Sequence, residues 1–214
     1  FSPFASAIES AQTKVANEEW YDALWSLSLF YGSPELSDAE RRQLQDWLDP
    51  LAAKVIYSGE HLIEKGYQAQ PGDTLEAVAQ RYGVPWQLLA NINGVADSGG
   101  LTPGTELKVL RGPLRAEVNL KNSEMTVFAG KLYAGRFPLT IGQDPAPEPG
   151  EYRVQDKLEG RTYYAGDGLT IPPRDAKNPY GSVWIDLGGE LCIHGSSETS
   201  GEVRGCIGLD TNDA

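Results

Sequence analysis

The sequence predicts a multidomain α+β protein in which a helical segment, a small mixed unit and a mostly β segment follow one another. Three observations predict this fold class. Apolar residues recur at helical spacing near the N-terminus, and a strand–helix–helix–strand pattern occupies the middle. Short alternating strands bounded by Gly and Pro fill the remainder. We therefore expect three segments, 1–62, 66–111 and 113–214.

The composition is that of a folded, acidic protein. Hydrophobic residues make up 40% of the 214, and no apolar run approaches the length that crosses a bilayer. Acidic residues outnumber basic ones by 30 to 18, and none of the three segments has a basic excess, so a nucleic-acid partner is not expected.

Because the chain begins at Phe1 without a Met, we expect either that a signal peptide or membrane anchor was removed upstream or that the chain was trimmed.

Residues 1–62 predict a helical hairpin with a packing or spacer role. The first apolar stripe has the spacing of one helix face and consists of Trp20, Ala23, Leu24, Leu27 and Tyr31. Ser37 and Glu40 then form a capping-box pattern at the start of the second helix. Its apolar stripe runs from Leu44 to Val55, and Pro50 is expected to kink or restart it.

Residues 66–111 predict a strand, two short helices and a returning strand. The first strand ends at a Pro71-Gly72 turn, after which Asp73 or Thr74 caps a helix. Gly83 ends that helix, Pro85 opens the next, and "ELKVL" (106–110) returns as a strand beside the first.

This unit resembles a LysM module. The matching positions are Tyr67, Gly72-Asp73-Thr74-Leu75, Asn91, Asn93, Pro103-Gly104 and Leu107. LysM modules bind N-acetylglucosamine polymers, so the resemblance implies that the segment binds the glycan of peptidoglycan or a chitin-like glycan. It places the sugar between the first loop (Gly72, Asp73, Thr74 and Leu75) and the loop before the last strand (Leu101, Thr102 and Pro103). The alternative is that these residues only fold a small domain, since Gly72 and Gly104 serve turns in any case.

The mostly β segment concentrates its reactive side chains in one short stretch. "CIHGSSETSGEVRGCIGL" (192–209) holds both cysteines and one of the two histidines of the chain, together with four glycines. A thiol is activated when a neighbouring imidazole accepts its proton, since an unperturbed cysteine titrates at about 8.5. His194 and Cys206 can form such a pair if the glycine-rich connection folds back. The second histidine, His61, is expected at the surface.

The motifs "IHGS" and "RGCIGLDTND" resemble the signature of the YkuD-type L,D-transpeptidases, cysteine enzymes that cross-link peptidoglycan. The resemblance extends through "FPLTIG" (137–142), "PGEYRV" (149–154) and "NPYGSVWIDL" (178–187), so it covers essentially all of 113–214. The chain departs from the family in its short interval between His194 and Cys206. It also has Gly208 where the family has a basic or polar residue, and it stops at Ala214, where the family continues, so the C-terminus is expected to be truncated.

The resemblance implies that Cys206 is the nucleophile and His194 the general base. It also implies that the backbone carbonyl of Gly195 fixes the imidazole tautomer. Gly205 allows a tight turn before the nucleophile, so the amides of Arg204, Gly205 and Cys206 can converge as an oxyanion hole.

The role of Cys192 stays open at this stage. It lies two residues before His194, so both side chains point to the same face of a strand. It is a core residue, a disulfide partner of Cys206, or a zinc ligand together with His194 and Cys206. The resemblance requires neither a metal nor a cofactor, and we expect none.

We therefore predict a bacterial extracytoplasmic enzyme, located in the periplasm or cell wall, whose partner is peptidoglycan. It would transfer an acyl group of a stem peptide through a Cys206 thioester and release D-alanine, while the LysM-like module holds the glycan strand. Three alternatives remain: a non-catalytic peptidoglycan-binding protein, an L,D-carboxypeptidase that uses water as the acceptor, and a zinc-dependent peptidase.

Overall fold

The structure of the protein is a computed structural model. It describes residues 2–96, 99–143, 146–164, 168–173, 175–189, 191–196, 206–210 and 213, with only the backbone at Ser196. The chain divides into two compact units. The first consists of Phe1–Ala116 with Thr126–Gly135, and the second of Glu117–Met125 with Arg136–Ala214. The helical segment and the strand–helix–helix–strand segment thus lie in the same unit.

Three α-helices and one π-helical turn open the first unit. They are α1 (Pro3–Ala16), α2 (Trp20–Ser28), α3 (Asp38–Ala52) and the π-helical turn Ala53–Tyr57. The predicted capping box begins α3: Ser37 Oγ accepts the amide of Glu40 at 3.3 Å, and the Glu40 carboxylate accepts the amide of Ser37 at 2.9 Å. Pro50 lies inside α3, and the helix continues into the π-helical turn. The structure adds α1 to the two helices expected from the sequence.

The middle segment has the predicted βααβ order. Its elements are β1 (Tyr67–Gln68), α4 (Leu75–Tyr82), α5 (Trp86–Asn93) and β2 (Glu106–Leu107). β1 and β2 pair antiparallel. Thr74 caps α4 by accepting the amide of Ala77 at 3.1 Å, and Gly83 ends that helix in the left-handed conformation with φ +70°. This helix therefore begins and ends where the sequence predicts.

The β-strands that follow are short except for the first three. They are β3 (Leu114–Asn119), β4 (Glu124–Ala129), β5 (Leu132–Ile141), β6 (Asp156–Leu158), β7 (Tyr163–Tyr164), β8 (Thr170–Ile171), β9 (Trp184–Asp186), β10 (Cys192–Ser196) and β11 (Cys206–Asp210). Among the described residues, seven of them form one sheet in the order β3-β4-β5-β11-β10-β9-β6, and β7 pairs with β8. β10 and β11 are parallel, whereas β11 pairs antiparallel with β5 and β10 antiparallel with β9.

The alternation of polar and apolar residues in "PGEYRV" (149–154) predicts a strand, but the structure has none there. The sheet gains its strand at β6 instead, and residues 151–155 are in no regular element. Tyr152 and Val154 are 45% and 51% exposed, so the alternating pattern there has no buried face. Since a strand needs a partner for its backbone groups, local alternation alone does not make one.

A single apolar cluster forms the core of the first unit. It contains residues of all five α-helices together with Phe128, Leu132 and Tyr133 from β4 and β5. The amide of Tyr133 donates to Ser28 Oγ at 3.0 Å, and its phenol donates to Asp49. The two strand segments therefore complete a core that the N-terminal helices begin.

The charged side chain of Lys108 lies inside this unit. Lys108, just after β2, is 1% exposed, and its Nζ donates to the carbonyls of Val55 at 2.7 Å and Ser58 at 2.6 Å. These carbonyls belong to the π-helical turn and the residue that follows it, where backbone acceptors lack intrahelical partners. Lys108 thus connects the βααβ segment to the end of α3 and its π-helical turn.

None of the described helices has the length and apolar character needed to span a membrane.

Candidate active site

The site residues of the second unit lie on the two parallel strands. In the register of β10 and β11, Cys192 is opposite Cys206 and His194 is opposite Gly208. Paired residues of neighbouring strands point to the same face, as do residues two apart on one strand. Cys206 is therefore on the same face as His194 and offset from it by two residues, about 7 Å along the strand.

The two strands are central, which explains their burial. β11 is flanked by β5 and β10 by β9, so neither strand lies at an edge of the sheet. Their other face carries Ile193 and Ile207, which are buried as well. Apolar side chains therefore pack on one face, while the reactive face holds Cys192, His194 and Cys206 away from bulk water.

His194 has a defined tautomer. Its Nδ1 lies 2.9 Å from the carbonyl oxygen of Gly195. Because a carbonyl only accepts, Nδ1 carries the proton and Nε2 keeps its lone pair. Nε2 is buried and has no hydrogen-bond partner among the described residues. The contact with Gly195 expected from the sequence is therefore present, and a proton acceptor is left at Nε2.

Burial also keeps this imidazole neutral. His194 is 2% exposed. Desolvation lowers the pKa of the ring below its ordinary 6.5, and the hydrogen bond to Gly195 opposes that shift. The side chain is thus an uncharged base at neutral pH.

Two aromatic rings surround the imidazole. Trp184 is opposite His194 in the β9–β10 pairing, and the two rings are nearly parallel at 10° with centroids 5.9 Å apart. Tyr180 meets the imidazole edge-on with centroids 5.2 Å apart. The guanidinium of Arg161 lies 4.6 Å from the centroid of the Trp184 ring. Sequence reasoning marked the segment 178–187 but assigned these aromatic residues no place in the site.

A buried amide fixes the loop that carries Tyr180. Asn178 Nδ2 donates to the carbonyls of Arg161 at 2.8 Å and Pro172 at 2.9 Å, and more weakly to Ile171 at 3.2 Å. Its Oδ1 accepts the amide of Tyr180 at 2.9 Å. One side chain thereby joins three backbone segments beside the imidazole.

Cys206 and Cys192 form a disulfide bond. Their Cα atoms are 4.9 Å apart, and the residues are 4% and 1% exposed. Of the three roles left open for Cys192, the structure shows that of a disulfide partner of Cys206. Because both sulfurs are bonded, neither is a thiolate ligand, and the described residues contain no group of three or more metal-ligating side chains.

The proposed oxyanion-hole residues Arg204 and Gly205 lie outside the described residues, as does the rest of the connection from 197 to 205. Gly195 and Cys206 are described. The amide of Gly195 donates to the carbonyl of Val183 at 3.0 Å, and the carbonyl of Cys206 accepts the amide of Gly142 at 2.9 Å.

The two loops expected to bind glycan are adjacent in the first unit. The carbonyl of Asp73 accepts the amide of Leu101 at 3.0 Å, and Thr74 forms a backbone bridge with Gly100. Gly72 has φ +86°, a conformation that favours glycine. Thr102 and Pro103 are exposed, whereas Leu75 is fully buried and belongs to the core.

A polar network supports the first of these loops. Asp73 Oδ2 accepts the phenol of Tyr67 at 2.6 Å and the amide of Gln70 at 2.8 Å. Arg81 donates to the same phenol at 2.6 Å and lies 3.5 Å from the carboxylate. These contacts lower the pKa of Asp73, chiefly through the Tyr67 hydrogen bond. Arg81 was not predicted to belong to this network.

Comparison with known proteins gives one family match and two relatives. The LysM domain family matches residues 67–110. The chain is 23% identical over 159 residues to the Bacillus licheniformis protein named "Putative L,D-transpeptidase YkuD", covering 69% of this chain and 87% of the relative. The NMR structure of the E. faecium L,D-transpeptidase catalytic domain acylated by ertapenem is 24% identical. It covers 46% of this chain and 82% of that one, with a TM-score of 0.33.

These findings first identify the class of the middle segment: residues 67–110 match the LysM domain family, within a protein of mixed helices and strands. The second resemblance stated from the sequence is supported too, because the curated relative is of the YkuD type. The protein thus combines a segment that matches the LysM domain family, called the LysM domain below, with similarity to a YkuD-type L,D-transpeptidase.

Proposed function

We propose that the protein is a cysteine-dependent L,D-transpeptidase that acts on peptidoglycan stem peptides outside the cytoplasm. One observation carries the proposal. His194 is buried with its Nδ1 proton committed to the Gly195 carbonyl, and its acceptor nitrogen lies on the face of the sheet that also carries Cys206. The similarity to YkuD supports the same assignment.

In the reduced enzyme, the Cys206 sulfur attacks the carbonyl that joins the L centre of a diamino acid to a terminal D-alanine. His194 Nε2 accepts the thiol proton as the sulfur–carbon bond forms. The proton then passes to the nitrogen of the departing D-alanine, and a thioester remains on Cys206. The amine of a second stem peptide attacks this thioester, forms the new amide and restores the thiol.

The environment of His194 suits this role. A neutral imidazole accepts a proton, and burial keeps the ring neutral because it disfavours the charged form. The Trp184 and Tyr180 rings restrict its rotation, so Nε2 keeps its direction through the reaction. The amides of Arg204, Gly205 and Cys206 are proposed to hold the developing oxyanion.

The LysM domain is proposed to hold the enzyme on its substrate. The loop from Gly72 to Thr74 and the loop from Leu101 to Pro103 would contact the glycan strand, and their adjacency supports a shared binding surface, whereas Leu75 is buried in the core. Partner and location follow from this assignment: peptidoglycan in the bacterial periplasm or cell wall.

Two related functions differ from this proposal in measurable products. An L,D-carboxypeptidase forms the same thioester but transfers it to water, so it releases a tripeptide instead of a cross-linked dimer. A non-catalytic peptidoglycan-binding protein forms no thioester, and the disulfide at Cys206 is the observation that favours it.

The deciding experiment uses the full chain after treatment with a dithiol reductant. Incubation with a stem tetrapeptide should give a protein mass increased by the acyl group and should release D-alanine. Cys206→Ser should give no adduct, and His194→Gln should give it slowly, because the thiol then has no positioned base. Absence of an adduct on the reduced, folded wild-type protein would favour the non-catalytic alternative.

A further inference from the structure

We propose that Cys192 is the resolving cysteine of a redox gate at this site. Its disulfide with Cys206 is the closed state, and reduction by a dithiol opens the site. The inference rests on the proposed function, since it assigns Cys206 the role of nucleophile, and it concerns a residue that the acyl transfer does not require.

The register of the sheet keeps the two sulfurs together. Cys192 and Cys206 are directly opposite on parallel strands, with Cα atoms 4.9 Å apart. Each strand is also held on its outer side, since Cys192 pairs with Asp186 of β9 and Ile207 pairs with Ile141 of β5. Reduction therefore leaves two thiols in contact within an unchanged ladder, and the bond can form again without a backbone rearrangement.

In the closed state Cys206 cannot act as a nucleophile, although His194 keeps its position. A disulfide sulfur has no thiol proton to give to His194 and is not an attacking thiolate. His194 Nε2 is correspondingly buried without a hydrogen-bond partner among the described residues. A buried polar atom without a hydrogen-bond partner lowers the stability of the fold. In the reduced state, the Cys206 thiol would donate a hydrogen bond to this nitrogen and so satisfy it.

The opening step is a thiol–disulfide exchange. A thiolate of the dithiol attacks one sulfur of the bridge, which gives a mixed disulfide and frees the other protein thiol. The second thiol of the reductant then displaces the protein. The bridge gains two electrons and two protons, and the dithiol becomes a disulfide.

The closing step uses a peroxide as the oxidant. Hydrogen peroxide converts the Cys206 thiol to a sulfenic acid and releases one water. The Cys192 thiol condenses with that sulfenic acid, forms the disulfide and releases a second water. Because the partner thiol is adjacent, condensation competes with a second oxidation to the sulfinic acid, which thiols do not reverse. The gate therefore also protects the nucleophile.

The first test compares two states of the full wild-type chain. Alkylation in denaturant should label no cysteine after air oxidation and both cysteines after dithiothreitol treatment, since both residues are buried in the folded protein. The reduced form should acquire the acyl group of a stem tetrapeptide, and the oxidised form should lose that ability. Equal acylation of both states would overturn the gate. If neither state is acylated and Cys192→Ala is also inactive, the proposed transpeptidase function fails instead.

The second test needs no turnover, so it judges the gate separately. Reduced wild-type protein treated with hydrogen peroxide should lose two hydrogen atoms by mass and return to the dithiol form with dithiothreitol. Cys192→Ala and Cys192→Ser should instead gain two oxygen atoms on Cys206 and resist rescue. Two variants are used so that poor folding of one does not decide the result. Formation of the sulfinic acid in wild-type protein at the rate of the variants would refute the proposal.

Discussion

Gly181 lies against the carbonyl oxygen of Gly195, the oxygen that accepts the Nδ1 proton of His194. A β-carbon on residue 181 would be 2.5 Å from that oxygen. The imidazole is therefore positioned through two successive contacts, from residue 181 to the Gly195 oxygen and from that oxygen to His194 Nδ1, and only a glycine fits at position 181.

Gly181→Ala should move the Gly195 carbonyl and slow acylation of the reduced enzyme. The matched control is Gly189→Ala, since the two glycines have φ +61° and +64° but a β-carbon at 189 meets nothing within 4 Å. Both changes should cost about 1–2 kcal/mol through the left-handed conformation. Only the change at 181 should also lower the acylation rate, measured by intact-protein mass spectrometry. Equal rates for the two variants would contradict this positioning role.

Asn178→Asp should destabilise the second unit. The carboxylate keeps an acceptor for the amide of Tyr180, but it has no hydrogens to donate to the carbonyls of Arg161, Ile171 and Pro172. Each buried carbonyl left without a donor costs about 1–3 kcal/mol. Urea denaturation measures the loss, with the exposed Asn122→Asp as the control for the added charge. A loss no larger than the control's would show that water replaces the lost donors.

In the wild-type protein Lys108 should make the free energy of unfolding of the first unit increase with pH, and Lys108→Met should abolish that increase. Burial lowers the pKa of Lys108 from 10.5 to about 8, so between these values the unfolded chain binds more protons than the folded one. The free energy of unfolding contributed by this lysine therefore increases as pH rises from about 8 to 10.5. Urea denaturation across that range should show the increase in wild-type protein and in the exposed control Lys65→Met, and its absence in Lys108→Met.

His194→Gln should reduce the acid sensitivity of the fold. Because burial lowers the pKa of His194, the unfolded chain takes up a proton below pH 6.5 before the folded one does, and the free energy of unfolding falls. The variant cannot take up that proton, so its stability should fall less on acidification. The control is His61→Gln, at an exposed histidine outside the core. A steeper acid loss in His194→Gln than in wild-type protein would run against this account.

Asp73→Ala should weaken retention on insoluble peptidoglycan. It removes the acceptor of the Tyr67 phenol and the Gln70 amide, which hold the loop from Gly72 to Leu75. A sedimentation assay measures retention, and acylation of a soluble stem peptide should continue. Glu76→Ala, an exposed change of the same charge on α4, is the control. Removal of the whole LysM domain is unsuitable, because Leu75 and Leu89 share one core with the N-terminal helices.

Local signals predicted the parts of the fold that depend on neighbouring residues. The capping box at Ser37, the helix end at Gly83 and the strand around His194 were all readable, because each depends on a few adjacent positions. Helix α1 was missed because its buried side has only Phe4, Ile8 and Ala11. That stripe is too narrow to stand out among small and polar residues.

The site depended on strand pairing, which sequence patterns do not specify. The bond between Cys192 and Cys206 follows from the parallel register of β10 and β11. Trp184 stands beside His194 because of the antiparallel register of β9 and β10. The family resemblance supplied the pair His194 and Cys206 as candidates, but their surroundings required the fold.

The bond between the Tyr133 amide and Ser28 joins residues 105 positions apart, so it also constrains synthesis. Helices α1–α3 leave the ribosome long before the strand residues that fill their core. Since chains grow at about 5–20 residues per second, the nascent helices keep an unfilled apolar surface for several seconds. During that interval the core of the first unit is incomplete, and it is filled only once Tyr133 has been synthesised.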